Sequence, residues 1–293
     1  MIVNIQQSYD GLLAGIKHQL ELQNQGNAQI SSGKRFTRPA EAALDYKTSL
    51  DLRRGQKGVA SSQQAINTAS ARLNNSMSML NSMQQILVRA QTLAVQQASG
   101  QISTNDRQGA LAEIVHLQDS LFTYANQRLD GQSLFSGTAT ANDAFVKDVD
   151  GNIVYNGNAE DRTVAITTTQ TVSSNVRGDN TAFTRMFAAM KSFENALRAD
   201  NQTGIQTALG DLNTAGGSII DIIAEVGARV RSMDLQQQLY ADIGLSLDTR
   251  LTDHEGIDIA STVARLQQSS IALQASYSQV ATLRSLSLVN FLK

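Results

Sequence analysis

The chain has 293 residues, 24 Lys and Arg against 26 Asp and Glu, and a formal charge of -2. That length suits one large domain or two ordinary ones, and the balanced charge offers no basic field for neutralising phosphates, so nucleic-acid binding is not expected. Cys is absent, which excludes disulfide frameworks and thiolate metal sites. No stretch approaches the roughly 20 apolar residues of a membrane span. Met1 to Leu20 lacks the basic start and continuous apolar run of a signal peptide, so the expectation is a cytoplasmic protein or one exported without a cleaved signal.

A single Pro, Pro39, predicts long uninterrupted helices. In the first segment Tyr9, Leu13, Ile16, Leu20 and Ile30 fall on a 4-3-4-3 series, with Gln23 and Asn27 filling the gaps; this is a heptad stripe with two amides set into it. Gly33 reads as its C-terminal stop. Pro39 fits the first position of the next helix, with Glu41 near its positive end.

From Val59 to Ala98 the spacing is helical and would span about 60 Å. Leu73, Met77, Leu80 and Leu87 form one stripe; Met79, Met83, Ile86, Ala90 and Leu93 form another. A helix apolar on two sides sits between partners, so a bundle follows. Gly100 can end it, and Ser103 with Asp106 can cap the next helix. That helix is expected to bury Leu111, Ile114, Gln118, Leu121, Ala125 and Leu129.

Between Ser136 and Asn180 Gly and β-branched residues rise. Ile153-Val154-Tyr155 reads as a strand followed by an Asn156-Gly157 turn, and Val164-Ala165-Ile166-Thr167 as a second strand. Such an insertion is too small for much core of its own. Helical spacing resumes at Phe183, Phe187, Met190 and Leu197. After a loop at Asp200 to Gly204 it runs on to Leu251, and Thr252 to Gly256 breaks it. Asp258 can cap the last helix, where Ile259, Val263, Leu266, Leu273, Tyr277 and Val280 repeat the spacing of the N-terminus.

The two ends are therefore built alike, each a thin amphipathic stripe interrupted by polar residues. Such stripes hold a lone helix poorly and specify a partner at a cost in stability. The ends pair with each other, with copies of the chain, or with both. The Gln-rich, charge-poor surface suits either packing against other subunits or plain solubility. The fold class is mainly α: a long antiparallel helical bundle or coiled coil with paired termini, plus a small β-rich insertion.

Candidate chemistry is thin. His18, His116 and His254 lie far apart, without the i,i+4 pairing of a zinc helix, and read as surface or internally satisfied residues. Asp148 to Asn152 has the flavour of a calcium loop but lacks its spacing and closing Glu, and a turn rich in Asp and Gly explains it better. Ser31-Ser32-Gly33-Lys34 contains Ser-x-x-Lys without the companion motifs of that catalytic class. Gly33-Lys34 lacks the remainder of a phosphate loop. Asp253 and Glu255 read as solvated loop acids. No enzyme, cofactor or metal is expected.

Four tracts point elsewhere. Ile30-Ser31-Ser32-Gly33-Lys34-Arg35-Phe36 resembles the segment after the first helix of bacterial flagellins and their relatives. Asn126-Gln127-Arg128-Leu129-Asp130-Gly131-Gln132-Ser133-Leu134-Phe135-Ser136-Gly137 resembles that family's boundary between helix and variable region. Ala272 to Tyr277 and Leu286 to Leu292 are similar to the hook–filament junction members of the family rather than its filament subunits. The family commonly has Pro-Ser-Asp-Asp after the Gly-Lys-Arg segment; here Thr37-Arg38-Pro39-Ala40-Glu41 stands instead, with Glu41 as the remaining acid.

The resemblance implies a non-catalytic structural adaptor of the bacterial flagellum, secreted through the flagellar type III pathway. Its partners would be copies of itself in a ring, the other hook–filament junction protein, flagellin, and a cytoplasmic export chaperone on about 256–293; no nucleic acid and no membrane are involved. Terminal helices at 1–42 and 257–293 would be disordered in the monomer and form the assembly coiled coil. Residues 43–136 and 181–256 would form a rod-like core, and 137–180 an outward-facing insertion. The assembly seam is expected at Tyr9, Leu13, Ile16, Leu20, Ile30, Ile259, Val263, Leu266, Leu273, Tyr277 and Val280. A short flagellin shares these features, and a type III secretion tip or translocator protein shares the helical, Cys-poor character.

Overall fold

Sparse helix breakers do give long helices. The computed structural model describes residues 2–99, 102–166 and 170–291, and six α-helices take up most of them. These are α1 (Ile2–Ser32), α2 (Ala43–Gln97), α3 (Thr104–Ala125), α4 (Thr181–Arg198), α5 (Gln202–Glu255) and α6 (Ile259–Phe291). α2 has 55 residues and α5 has 54, so each runs for about 80 Å. Six short strands pair as three separate two-stranded antiparallel sheets: β1 (Arg128–Leu129) with β2 (Gln132–Ser133), β3 (Phe145–Lys147) with β4 (Ile153–Tyr155), and β5 (Thr163–Ala165) with β6 (Thr171–Ser173). The chain is mainly α with a small β insertion. Among the described residues no helix is long and apolar enough to cross a membrane.

Helix ends follow capping chemistry. Gly33 takes φ 68° just past α1, and its N–H closes on the Gln29 carbonyl at 2.8 Å, the left-handed stop that a glycine accepts without strain. The Ser103 hydroxyl accepts from the Asp106 N–H at the start of α3, and Asp258 accepts from the N–H groups of Ala260 and Ser261 at the start of α6. Gly100, expected to end α2, lies outside the described residues.

Four boundaries differ from the sequence reading. Pro39 does not open α2, which starts at Ala43. Instead the Glu41 carboxylate accepts from the Thr37 and Arg38 N–H groups at 2.7 and 3.3 Å, and folds 37–41 into a turn. The loop before α5 is shorter than Asp200 to Gly204, because Asn201 accepts from the Gly204 N–H and α5 begins at Gln202. Thr252 and Asp253 stay helical, since the Gly256 N–H still reaches the Thr252 carbonyl at 2.7 Å. Leu129 is not on α3 but in β1, since that helix ends at Ala125.

By internal packing the chain divides into two units, Val59–Asp242 and Met1–Gly58 with Ile243–Lys293. In the larger one both stripes of α2 are used: Leu73, Leu80, Met83, Leu87 and Ala90 are fully buried, and Met77 and Met79 pack on the same core. On α3, Ile114, Leu121 and Ala125 are buried and Leu111 packs beside them. Gln118 sits in that apolar series because its amide donates to the Met190 carbonyl at 2.9 Å, which satisfies a polar group at a core-facing position.

The insertion joins this core through aromatic rings. Phe145 lies 5.4 Å from Phe183, 5.2 Å from Phe187 and 5.6 Å from Tyr155, while Phe135 lies 5.3 Å from Phe183, at distances where edge and tilted pairs add to area burial. Asn156-Gly157 closes no hairpin. β4 pairs back onto β3 through the turn 148–152, and Gly157 fits where a Cβ would strike the Tyr155 ring and the Ser136 carbonyl. The Asp148 carboxylate accepts from the Asp150 and Asn152 N–H groups, so it closes a turn. The second strand ends at Ala165, and Thr167 lies outside the described residues.

In the other unit α1 and α6 pack against each other and run antiparallel: Gly26 meets Leu266 while Gln19, one heptad earlier, meets Ser269.

Candidate assembly surface

The contact line of the terminal helix pair is heptad-spaced on both sides, and half of its residues are small or polar. On α1 it runs through Tyr9, Leu12, Ile16, Gln19, Gln23 and Gly26; on α6 through Thr262, Leu266, Ser269, Leu273, Ser276 and Val280. Ile16, Gly26, Thr262 and Ser269 are buried and the others half-buried. Gly26 forms a notch: a Cβ there would stand 2.8 Å from Leu266 Cδ1. The Ser269 hydroxyl lies 3.1 Å from the Gln19 main-chain oxygen and 2.9 Å from its side-chain oxygen. Thr262 and Ser276 direct their hydroxyls to the Asp258 and Ala272 carbonyls of their own helix, so they face the seam as compact, satisfied side chains.

Against this line the expected seam residues separate into two groups. Ile16 is 7% exposed, and Tyr9, Leu266, Leu273 and Val280 are half-buried beside it. Leu13 (37%), Leu20, Ile30, Ile259, Val263 and Tyr277 are exposed. Leu22 and Ile271 (67%) are exposed too. Thus alternate positions of each apolar stripe are turned out of the pair, where large side chains stand in water. In the chain by itself these side chains gain nothing from burial. A cleft of about 320 Å³ beside the pair is lined by Gln19, Leu22, Gly26, Leu266 and Ser269, among others.

The pair is tied to the start of α2 and the end of α5 at one carboxylate. Glu255, the last residue of α5, is 7% exposed. Its oxygens accept from Arg53 Nη2, both at 2.7 Å, and from Lys34 Nζ at 3.0 Å. Its main-chain oxygen accepts from the Arg35 N–H at 2.7 Å, and Lys34 bridges Gly256 as a short antiparallel rung. Burial opposes ionisation of Glu255, yet the hydrogen bonds from Arg53 and Lys34 outweigh it and hold the carboxyl below the usual carboxylate range. Beside it Phe36 is buried between Tyr46 and His254, with ring centroids 6.4 and 5.8 Å away. His254 Nε2 lies 3.0 Å from the Asp45 carbonyl. Glu255 therefore differs from the solvated loop acid read in the sequence, because α5 continues through it. His254 is internally satisfied, while His18 and His116 are exposed.

The boundary motif also has a geometric role, in the other unit. Asn126 donates to the Phe145 carbonyl and accepts its N–H, each at 2.9 Å. Asp130 and Gly131 take φ 51° and 75° in the two-residue turn between β1 and β2, the left-handed pair that an Asp-Gly turn supplies. Leu134 and Phe135 enter the core.

Comparison with known proteins agrees with these motifs. Residues 3–140 match the bacterial flagellin N-terminal helical region. Flagellar hook-associated protein 3 of Escherichia coli is 24% identical, with the alignment covering 100% of both chains; that of Salmonella typhimurium is 21% identical over 98% of each. A hook-associated protein structure from Vibrio parahaemolyticus superposes with TM-score 0.66 at 22% identity, covering 74% of this chain and 100% of that one. Bacillus cereus FlgL gives 0.61 at 18% identity, covering 69% and 99%. The fold is thus shared with these structures. The resemblance read from the sequence is thus shown, and the chain is similar along its whole length to flagellar hook-associated protein 3.

Proposed function

We propose that the chain is a non-catalytic structural adaptor of the bacterial flagellum that joins the hook, through the other junction protein, to the flagellin filament. Full-length similarity to flagellar hook-associated protein 3 supports the location. The observation that carries the mechanism is the terminal helix pair, whose seam mixes apolar with small and polar residues and which leaves apolar side chains at Leu13, Leu20, Ile259, Val263 and Tyr277 exposed. Burying each such side chain at a subunit contact contributes about 1.5–3 kcal/mol at most, so a ring of copies, each lending both termini, would gain from every contact. The same weakness of the isolated pair suits a segment that orders fully only on assembly and is carried before export by a chaperone on about 256–293. The core at 43–136 and 181–256 would act as a rod, with 137–180 facing outward.

The test is seeded assembly. Purified protein is added to isolated hooks already carrying the other junction protein, and bound mass and length are followed by electron microscopy. A short collar that saturates and then accepts flagellin is the expected result. Unlimited growth would make the chain a filament subunit, and no binding would remove the adaptor role.

A further inference from the structure

In the larger unit two guanidinium groups converge without an acid between them. Arg72, on α2, is 6% exposed. Its Nη2 donates to the Ser133 carbonyl and its Nη1 to Gln132 Oε1 at 3.4 Å, while its Nε is buried and has no partner. Arg162 Nη1 donates to the same Gln132 oxygen at 2.8 Å. Neither guanidinium forms an ion pair with a carboxylate among the described residues. Burial, and secondarily the charge of Arg162, lower the pKa of Arg72 to about 10, which leaves it cationic at neutral pH. A buried cation without a counter-charge is costly, and two neutral oxygens, the Ser133 carbonyl and a Gln132 amide oxygen shared by both cations, offset only part of that cost. Gln132 is solvent-exposed, so the place where both cations point opens outward.

We propose that Arg72 and Arg162 form an anion site beside Gln132 that takes one carboxylate or similarly sized oxyanion. Guanidinium forks match the two oxygens of such a group. The group is either a free ion or an acidic side chain of another protein chain, and the two sources are separable by experiment.

The full-length protein, Gln132→Glu, Arg162→Gln and the double variant are melted in chloride and in inorganic phosphate at matched ionic strength. Gln132→Glu places the missing carboxylate within the site and should raise the melting temperature by roughly 2–4 °C, a gain that disappears when Arg162→Gln is added. If phosphate also stabilises the unmodified protein but neither single variant, a free oxyanion fills the site. If phosphate does nothing while Gln132→Glu stabilises through Arg162, the ligand is a protein carboxylate. The proposal is overturned if Gln132→Glu is neutral or destabilising and phosphate acts equally on all forms or on none.

Discussion

Glu255→Gln isolates the tie between α1, α2 and α5, because it keeps the side chain's size and removes its charge. The lost interactions are charge-assisted hydrogen bonds from Arg53 and Lys34, each contributing about 1.5–3 kcal/mol where fully enclosed. The two cations are themselves 43% and 42% exposed, and so they regain water in the variant. The net cost should therefore be about 2 kcal/mol rather than the sum. That corresponds to local opening about 30-fold more frequent. Native-state hydrogen exchange reads it directly: the Arg35 and Gly256 amides and their neighbours in α2 and α5 should exchange about 30-fold faster, with the amides of α3 and α4 unchanged. Equal acceleration of α3 and α4, or none at Arg35 and Gly256, would refute the view that this carboxylate holds the junction.

Four other outcomes are expected. Leu13→Asp and Leu273→Asp each place a charge on the terminal pair, one at its exposed edge and one in its seam; both should block incorporation in the seeded assay while leaving the melt of the larger unit unchanged. Deleting residues 1–36 or 256–293 should leave a folded, cooperative core that fails to assemble, and a melt without cooperativity would count against it. Asn126→Ala removes both hydrogen bonds to the Phe145 backbone and should cost about 2 kcal/mol by chemical denaturation. Stability should also fall on the acid side. Glu194, like Glu255, is opposed by burial but held low overall, here by Arg198 and Lys191. A depressed folded-state value contributes stability above the unfolded carboxylate pKa of about 4.3 and loses it as pH falls through the folded value. Melting temperature should hold from pH 7 to about 5 and drop below about 4, with a shallower drop in Glu255→Gln.

Helix placement was readable because long periodic stripes such as Leu73, Leu80, Leu87 and Phe183, Phe187, Met190 have one physical use, burial against neighbours. The helix pair was readable only in part. Counting apolar residues selects Leu13, Leu20, Ile259 and Val263, whereas the contact line is rotated about one position toward Gln19, Gly26, Thr262 and Ser269. Close approach favours small residues, and hydropathy does not register a glycine notch. The sevenfold recurrence of Thr262, Ser269 and Ser276 is the signal that could have revealed it. Glu255 was obscured by the glycine that follows it, since the continuation of α5 depends on a bond from the Gly256 N–H to Thr252. Arg72 carries no local mark at all, because its burial depends on Gln132 and Ser133, about 60 residues away in sequence.

The rung at the base of the pair also limits how the two terminal helices can slide. The seam alone would allow a shift of one heptad, because Leu273 or Ile259 would then replace Leu266 at the gap beside Gly26, and Ser276 or Thr262 would replace Ser269 at Gln19. The Lys34–Gly256 rung and the Arg35 N–H bond to the Glu255 carbonyl join the chain just outside both helices, and such a shift would break them. The pair therefore has a single registry, so that copies added one after another would present their outer leucines at the same height.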